Sequence, residues 1–335
     1  MKSRIFALIP ALSILFSGCA WNFEREEYRD DVFFAMDTYI TVRLARKGAT
    51  EKQLDETAAE CERIVKELES VLSAHDPDSE LYALNHSSEE FTEISDTLER
   101  VLLTAYDVAE RTAGAYDFTL GGLTELWNIT DGGPVPPQHE INALLPHTGY
   151  DLIAIDDTRN TVMRPDNKVR IDLGGIGKGV AADELVQYLE TTDISHGLVS
   201  VGGMIGVFGD KPDGTPYKIG IRDPDDPNGV LSYLHINDGF VAVSGDYERY
   251  FEENGIRYHH IFDPYTGYPA DSGLRETAVY CENGAMADAL STALFVMGSD
   301  VIPDFYESGG FEAVLVSDDG SITATKGMRT DYVIP

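Results

Sequence analysis

Apolar and polar residues follow two different periods along this chain, and the two periods occupy different parts of the sequence. Apolar side chains recur every three or four residues behind a capping-box sequence at residues 50–53, and again over 95–112, which predicts two amphipathic helices. Helices are also predicted at 179–189 and 286–297. Residues 33–44 precede the first helix and open the fold, and their second half alternates like a strand.

The second half of the chain is dominated by short runs typical of strands. The runs lie at 152–155, 161–163, 169–171, 198–201, 217–221, 231–236, 240–243 and 258–262, followed by a hairpin of 313–316 with 321–325. Residues 73–85 are predicted to be a loop, and 114–150 is weakly patterned without linker character. Helices in one block followed by strands in another predict an α+β fold with mixed or antiparallel sheets and packed helices.

The first residues have the pattern of an export signal. Lys2 and Arg4 precede an apolar run at 5–16 that is too short to be a stable membrane span. The following Ser-Gly-Cys resembles a lipobox, in which Cys19 is lipidated and becomes the mature N-terminus. An ordinary secretory signal that happens to contain Cys19 is the alternative.

This interpretation divides the chain into a signal peptide at 1–18, a polar tether at 19–31 and one folded domain at 32–335. We expect an extracytoplasmic protein held at the membrane by lipid. The net charge is −33, and loss of Lys2 and Arg4 with the signal would make it −35. Such a charge argues against nucleic-acid binding, and an anionic ligand would need local positive charge.

Cysteine is scarce. Besides Cys19, the chain has only Cys61 and Cys281. Two scattered cysteines do not form a disulfide framework, so buried free thiols are expected, with a single disulfide as the alternative.

A glycine-rich stretch at 171–183 stands between a strand-like run and a predicted helix. It contains Gly174, Gly175, Gly177, Lys178 and Gly179. Glycines permit close backbone approach and positive φ, while a helix N-terminus and a lysine attract an anion, so a phosphate-bearing ligand is indicated. The spacing matches neither the Walker loop nor the dinucleotide fingerprint, and a tight turn with a solvated Lys178 is the alternative.

A histidine pair ends the strand predicted at 258–262. His260 is placed to act as a general base, with Asp263 in the following Asp-Pro-Tyr-Thr-Gly turn to orient it. The alternative is a strand-end histidine satisfied by a turn carboxylate.

A carboxylate and a hydroxyl lie one helical turn apart in the helix predicted at 286–297. Asp288 and Thr292 therefore point to the same side, and together they form a plausible partial shell for Mg²⁺. A solvated helix face is the alternative. Motifs typical of serine hydrolases, zincins and thioredoxin-like proteins are missing at useful places in the sequence.

Eight motifs in the same order together resemble the FAD:protein FMN transferase (ApbE-like flavin transferase) family, over essentially the whole chain from Phe33. They are Ala-Met-Asp-Thr at 35–38, Ser-Ala-His-Asp-Pro-Asp-Ser-Glu-Leu at 73–81, Gly-Ala-Tyr-Asp-Phe-Thr at 114–119, the stretch at 171–183, Gly-Gly-Met-Ile at 202–205, Ser-Gly-Asp-Tyr at 244–247, His-Ile-Phe-Asp-Pro-Tyr-Thr-Gly at 260–267 and Ala-Asp-Ala-Leu-Ser-Thr-Ala at 287–293.

The resemblance implies a T-fold-related architecture, FAD as substrate, Mg²⁺ as cofactor, and a threonine or serine hydroxyl of a membrane or secreted redox protein as acceptor. It implies Asp288, Thr292 and the carbonyl of Gly177 as metal ligands and His260 as the motif histidine. The residues that fall where the family contacts FAD are Met36, His75, Ala115, Tyr116, Asp117, Gly174, Val180 and Phe262, beside Lys178 from the charge argument. This chain departs from the family pattern at Asp37, where glycine is usual, at His75, where tyrosine is common, and at Ser244, where threonine is common.

Two other functions remain open at this point. The same site with water as acceptor would be a Mg²⁺-dependent FAD pyrophosphatase that gives FMN and AMP. A lipid-anchored flavin-binding protein without catalysis belongs to another class.

Overall fold

Seven α-helices and sixteen strands make up the computed structural model, which describes residues 28–226, 228–299, 310–328 and 330–332. The helices are α1 (Glu51–Leu72), α2 (Glu80–His86), α3 (Asp96–Arg111), α4 (Gly121–Trp127), α5 (Gln138–Leu144), α6 (Gly177–Glu190) and α7 (Gly284–Met297). The strands are β1 (Tyr28–Ala35), β2 (Thr38–Ala45), β3 (Phe91–Glu93), β4 (Ala154–Asp156), β5 (Thr161–Met163), β6 (Gly197–Val201), β7 (Met204–Phe208), β8 (Tyr217–Arg222), β9 (Val230–Ile236), β10 (Gly239–Gly245), β11 (Tyr250–Glu253), β12 (Ile256–His259), β13 (Leu274–Cys281), β14 (Phe311–Ser317), β15 (Ile322–Ala324) and β16 (Thr330–Tyr332).

The main sheet has eight strands in the order β1-β2-β6-β7-β10-β13-β14-β15, and every neighbouring pair is antiparallel. Three smaller sheets have the orders β16-β9-β8, β3-β5-β4 and β11-β12. The antiparallel α+β prediction is confirmed.

Two cores lie on opposite faces of the main sheet. On β10, Phe240 and Ala242 pack into the large core with the helices, whereas Val241 between them packs into a second core under β8 and β9. This is the period of two that a strand buried on both faces must show. Helices α6 and α7 lie on the first face against β6, β7, β10 and β13, and α1 packs against β1 and β2.

Local signals placed the first helix and the last hairpin correctly. The capping box of α1 is present, since the Gln53 N–H donates to Thr50 Oγ1 at 3.2 Å and the Thr50 N–H donates to Gln53 Oε1 at 2.9 Å. The closing hairpin pairs Val316 with Ile322.

The strand predicted in the second half of 33–44 is confirmed as β2, while the first half ends β1, and Met36 and Asp37 form the turn between the two strands. The predicted tether is too long, since residues 28–31 belong to β1. The polar side chains that suggested a tether are paired within the fold, with Arg43 bonded to Asp30 at 2.6 Å and Arg29 to Asp31 at 2.7 Å.

The run at 169–171 is not a strand, although Val169 and Ile171 are buried. Its backbone forms one isolated parallel bridge, between Arg170 and Leu120, and is otherwise bonded largely by side chains. Asn85 donates to the Ile171 carbonyl at 2.7 Å and accepts the Ile171 N–H at 2.8 Å, while the buried Arg164 donates to the Val169 carbonyl at 2.8 Å.

Several elements were missed or misplaced. Helix α2 lies inside the predicted loop and begins at the cap Ser79, whose hydroxyl accepts the Tyr82 N–H at 3.1 Å. Helices α4 and α5 lie in the weakly patterned region, and β7 and β13 were not predicted. Strand β12 ends at His259, so His260 follows the strand and does not belong to it.

Cys61 and Cys281 are buried free thiols, as expected. Among the described helices, none combines the length and apolarity that a membrane crossing requires. The signal peptide and Cys19 lie outside the described residues.

Candidate functional site

One wall of the site is the turn between β1 and β2. Met36 and Asp37 have φ of +51° and +56°, a left-handed conformation that costs roughly 1–2 kcal/mol at a residue with a side chain. The Met36 N–H donates to Glu69 Oε1 of α1 at 2.7 Å, which holds the turn. The methyl of Met36 lies against α6, since a Cβ added at Gly177 would be 3.3 Å from Met36 Cε.

The centre of the site is the crossing of α6 and α7, where each helix supplies a carboxylate to the N-terminus of the other. Asp288 of α7 accepts the Gly179 N–H in the first turn of α6 at 2.9 Å. Asp183 of α6 accepts the Gly284 and Ala285 N–H groups at the start of α7, at 2.6 and 2.7 Å. Each carboxylate satisfies N–H groups that have no partner within their own helix.

The glycines of the 171–183 stretch are required for close approach. A Cβ at Gly179 would be 2.2 Å from the Gly284 carbonyl oxygen, so only glycine lets the two helices cross here. A Cβ at Gly175 would lie 3.2 Å from the Tyr116 ring and 3.5 Å from Thr292 Oγ1. None of these four glycines has the positive φ that glycine permits, so close approach is the reason for them here.

Asp288 is the buried acidic side chain at the centre of the site. Its side chain is buried, and burial raises its pKa, while Lys178 and the N–H groups of Gly179 and Lys178 oppose this shift. Lys178 Nζ lies 3.9 Å from Asp288 Oδ1. Positive partners on two sides therefore favour the ionised form of a carboxylate that would otherwise be costly to bury.

The donors implied for a metal are one carboxylate, one hydroxyl and one backbone carbonyl, and this oxygen-only set suits Mg²⁺. Thr292 Oγ1 lies one turn from Asp288 on α7, at 3.4 Å from its carbonyl oxygen. Gly177 is the first residue of α6, between Gly175, which approaches Thr292, and Gly179, which binds Asp288. No group of three His, Cys, Asp or Glu side chains suited to a metal occurs among the described residues, so a protein-only cage is not present there.

A line of hydroxyls runs from the Asp288 carbonyl to Thr292. Ser291 Oγ donates to the Asp288 carbonyl at 2.8 Å and lies 2.7 Å from Ser244 Oγ, which is 3.5 Å from Thr292 Oγ1. Ser244 thus joins β10 to α7 beside the candidate ligands.

A buried hydroxyl next to these donors lacks a partner among the described residues. Tyr116 Oη is fully enclosed, and burial raises the pKa of Tyr116, with Asp288 and Asp172 contributing further. An unpartnered polar atom at this depth indicates that a group from a ligand or water belongs beside it.

The neighbouring Asp117 is occupied within the fold. One of its oxygens accepts the Thr119 N–H at 2.8 Å, and the other accepts the Tyr150 N–H at 2.9 Å. Its pKa is raised by burial, against which these hydrogen bonds act. In this arrangement Asp117 shapes the loop that presents Tyr116.

His260 faces Lys178 across the site. Burial lowers the pKa of His260 to about 3, with Lys178 and Arg249 acting in the same direction, so the ring is neutral near pH 7. Its Nδ1 lies 3.3 Å from the Arg249 carbonyl oxygen. With Nδ1–H donated to that carbonyl, Nε2 keeps a free lone pair to accept a proton.

The interpretation of Asp263 as the group that orients His260 is corrected by these contacts. Asp263 accepts the Tyr265 N–H at 2.9 Å and the Thr266 hydroxyl at 3.0 Å, because the turn after the histidine needs both bonds to close. The Arg249 carbonyl takes the orienting role.

The remaining predicted contacts fall into two groups. Ala115, Val180 and Phe262 are buried and form the apolar backing of the site, with Phe262 in a small core beside Trp127. Gly174 and His75 are exposed, and they lie in the loop before α6 and in the loop between α1 and α2.

Three residues with contacts around the candidate site were not singled out from the sequence. Arg249 holds His260 through its carbonyl, and its Nη2 also reaches the Asp37 carbonyl at 3.5 Å. Glu248 is near the β6–β7 turn, where a Cβ at Gly203 would be 3.3 Å from Glu248 Oε1. Asp183 offered a weak signal, since it follows the apolar run Val180–Ala182 at the end of the glycine-rich stretch, whereas the other two offered none.

Comparison with known proteins places this site in a family. The model of the ApbE family matches residues 36–315. An FAD:protein FMN transferase from Vibrio cholerae is 32% identical over 308 residues, covering 90% of this chain and 89% of that protein. One from Haemophilus influenzae is 32% identical over 302 residues, covering 86% of each.

Solved structures agree with the sequence comparison. The ApbE protein of Thermotoga maritima superposes with a TM-score of 0.83 at 36% identity, over 90% of this chain and 98% of that one. The flavin transferase ApbE of Vibrio cholerae gives a TM-score of 0.80 at 28% identity, with the same coverage. The chain belongs to the ApbE family, and the resemblance found in its sequence is confirmed.

Proposed function

We propose that this protein transfers the FMN part of FAD to a threonine or serine hydroxyl of a partner protein and releases AMP, in a reaction that depends on Mg²⁺. The proposal is supported by the family and by relatives named for FMN transfer from FAD to protein. The observation that carries it is the arrangement of Asp288, Lys178 and His260 around the N-terminus of α6.

This arrangement suits a pyrophosphate. The start of α6 and the ammonium of Lys178 supply positive charge in a chain whose net charge is −33. A dinucleotide would otherwise be repelled, so these groups decide where its phosphates bind.

The reaction forms a bond between the acceptor oxygen and the FMN-side phosphorus and breaks the bridging phosphorus–oxygen bond to AMP. The hydroxyl proton passes to Nε2 of His260, which is neutral and free to accept it. Lys178 faces the anionic phosphate oxygens, and Tyr116 Oη offers them a hydrogen bond from its buried position.

Asp288, Thr292 and the carbonyl of Gly177 would hold the Mg²⁺. The ion, when bound, neutralises charge that develops on the pyrophosphate oxygens. Ser244 and Ser291 keep the Thr292 hydroxyl turned toward the site.

We further propose that the protein works outside the cytoplasm and is anchored through lipid on Cys19. This proposal rests on the lipobox pattern at 17–19. Labelling of cells with a fatty acid tests it directly. Label is expected in the wild type and not in Cys19→Ser, and equal labelling of both would contradict the anchor.

The transfer reaction is tested with residues 20–335, FAD, Mg²⁺ and membranes from cells that lack the gene. We expect proteins that carry covalent FMN, read as fluorescent bands in denaturing gels, and AMP released in equal amount. Free FMN and AMP without labelled protein would identify a pyrophosphatase, and intact FAD would identify a binding protein.

The role of His260 is tested in the same assay with His260→Ala. We expect transfer to fall about a hundred- to ten-thousand-fold, because the base is lost, while FAD still binds. His139→Ala is the matched control, since His139 is an exposed histidine near Glu140. Normal turnover of His260→Ala would remove His260 from the mechanism.

A further inference from the structure

The hairpin of β1 and β2 exposes an apolar face. Val32, Phe34 and Tyr39 are 60%, 55% and 59% exposed, although they belong to the main sheet. The rings of Phe34 and Tyr39 pair across the two strands, edge to face, with centroids 5.3 Å apart. The alternate residues Ile40 and Val42 are buried under the helices, so one face of the hairpin is core and the other is open.

The second layer of the fold does not reach this face. The sheet of β8, β9 and β16 packs on residues of β7, β10, β13 and β14, and no residue of β1 or β2 belongs to that core. β1 is also the terminal strand of the main sheet, with nothing paired on its outer side within the described residues. A long apolar edge strand invites pairing by another chain, so proteins usually cover or charge it.

The backbone at this edge is ready for pairing. A two-residue turn joins Ala35 and Thr38, which form the hydrogen-bonded pair nearest the turn. The N–H and carbonyl groups of Val32 and Phe34 therefore point away from β2, beside their exposed side chains.

The open edge leads directly into the site. The turn that ends the hairpin places Met36 against Gly177, and the carbonyl of Asp37 lies 3.5 Å from Nη2 of Arg249, which orients His260. A residue paired with Phe34 would be about 7 Å, or two strand residues, from the level of Met36.

We infer that this hairpin surface, formed by Val32, Phe34, Tyr39 and the free edge of β1, binds an extended segment of the acceptor protein as an additional strand. The hydroxyl residue of that segment then lies at the Met36 end, next to His260. The inference rests on the proposed function, which requires a protein to deliver a hydroxyl to this site, and it names the binding mode as strand addition.

The negative charge of this protein favours an acceptor segment over other ligands of the hairpin surface. A net charge of −33 and the exposed Asp37 at the tip disfavour an anionic lipid surface, and they also disfavour a second copy of this chain. The surface fits a segment with alternating apolar side chains and basic residues beside its hydroxyl residue.

The test uses the full-length protein in cells that lack the chromosomal copy and reads covalent FMN on envelope proteins in denaturing gels. We expect the double variant Phe34→Ser/Tyr39→Ser to lower flavinylation at least tenfold, with FAD affinity and membrane association unchanged. Phe91→Ser is the matched control, because Phe91 is 60% exposed on β3 in a separate sheet, and it is expected to behave as wild type.

A second variant tests the strand addition itself. Val32→Pro removes an N–H that faces the open edge but leaves the ladder to β2, so it is expected to reduce flavinylation without lowering the unfolding temperature by more than a few degrees.

Wild-type flavinylation by the double variant would overturn the inference. Loss of the double variant from the membrane fraction would overturn it as well, because the surface would then serve the lipid. If even the wild type labels no protein, the proposed function fails, and the inference fails with it.

Discussion

Two buried acidic side chains lie on opposite faces of the main sheet, and they differ in their charged and hydrogen-bonding partners. Asp288, on the helix face, has Lys178 at 3.9 Å and a backbone N–H at 2.9 Å. Glu276, on β13, faces the second core together with Ala278, and the hydroxyl of Tyr247 donates to it. The other oxygen of Glu276 has no partner among the described residues.

The pKa values follow from these surroundings. Burial raises the pKa of Glu276 to about 8, and the nearby Glu248 raises it further, so the neutral acid dominates at neutral pH. Asp288 is also raised by burial, but a cation and N–H groups oppose the change. Lys178 and two backbone N–H groups oppose the effect of burial at Asp288, whereas at Glu276 the opposing effects of Tyr247 and Arg222 still leave the pKa raised to about 8.

The largest expected effect is that of Asp288→Asn. The amide lacks the charge that faces Lys178. We expect the activation free energy of transfer to rise by roughly 4 kcal/mol, which lowers turnover about a thousandfold, and we expect the Mg²⁺ requirement to be lost. Titration calorimetry with Mg²⁺ measures the site directly. Asp107→Asn, at an exposed position on α3, is the control. Normal Mg²⁺ binding by Asp288→Asn would rule out Asp288 as a ligand.

An effect on stability, and not on activity, is expected for Glu276→Gln. The pKa of Glu276 rises from 4.5 when unfolded to about 8 when folded, so the folded state binds the extra proton between these values. Wild-type stability therefore falls as the pH rises from about 5 to 8, by roughly 1.4 kcal/mol per pH unit from this group.

Glu276→Gln does not lose stability in this way. Its free energy of unfolding relative to that of the wild type should therefore rise through the same pH window and stay constant above pH 8. Urea unfolding at pH 5, 6.5, 8 and 9 measures it. A difference between the two proteins that does not change with pH would show that Glu276 ionises normally.

The smallest effect is expected for Tyr247→Phe. It removes the hydroxyl that donates to Glu276, and we expect a loss of about 1–2 kcal/mol of unfolding free energy, with unchanged FMN transfer. Above pH 8, where Glu276 is ionised, the loss should be smaller in the Glu276→Gln background, because the amide oxygen is a weaker acceptor than a carboxylate. Equal losses in both backgrounds would mean that the two side chains are not coupled.

The site was partly predictable because its chemistry lies in short motifs. Asp288 and Thr292 were predicted as metal ligands from their i, i+4 spacing, and His260 as a base from its place at the end of a predicted strand. Asp263 was assigned the wrong role, because an Asp-Pro-Tyr-Thr-Gly turn consumes its own carboxylate, and the sequence does not reveal that the Arg249 carbonyl is the group that contacts His260.

The sequence by itself determined the helix periods, the capping box of α1, the closing hairpin and the residue types of the site. These depend on neighbours within a few positions. Only the tertiary structure decided that Gly179 meets Asp288, 109 residues away, that Arg249 reaches Asp37, 212 residues away, and that no described strand pairs with the outer edge of β1. Contacts of this kind depend on how sheets and helices stack, and local periodicity carries no information about which distant residue a buried group will meet.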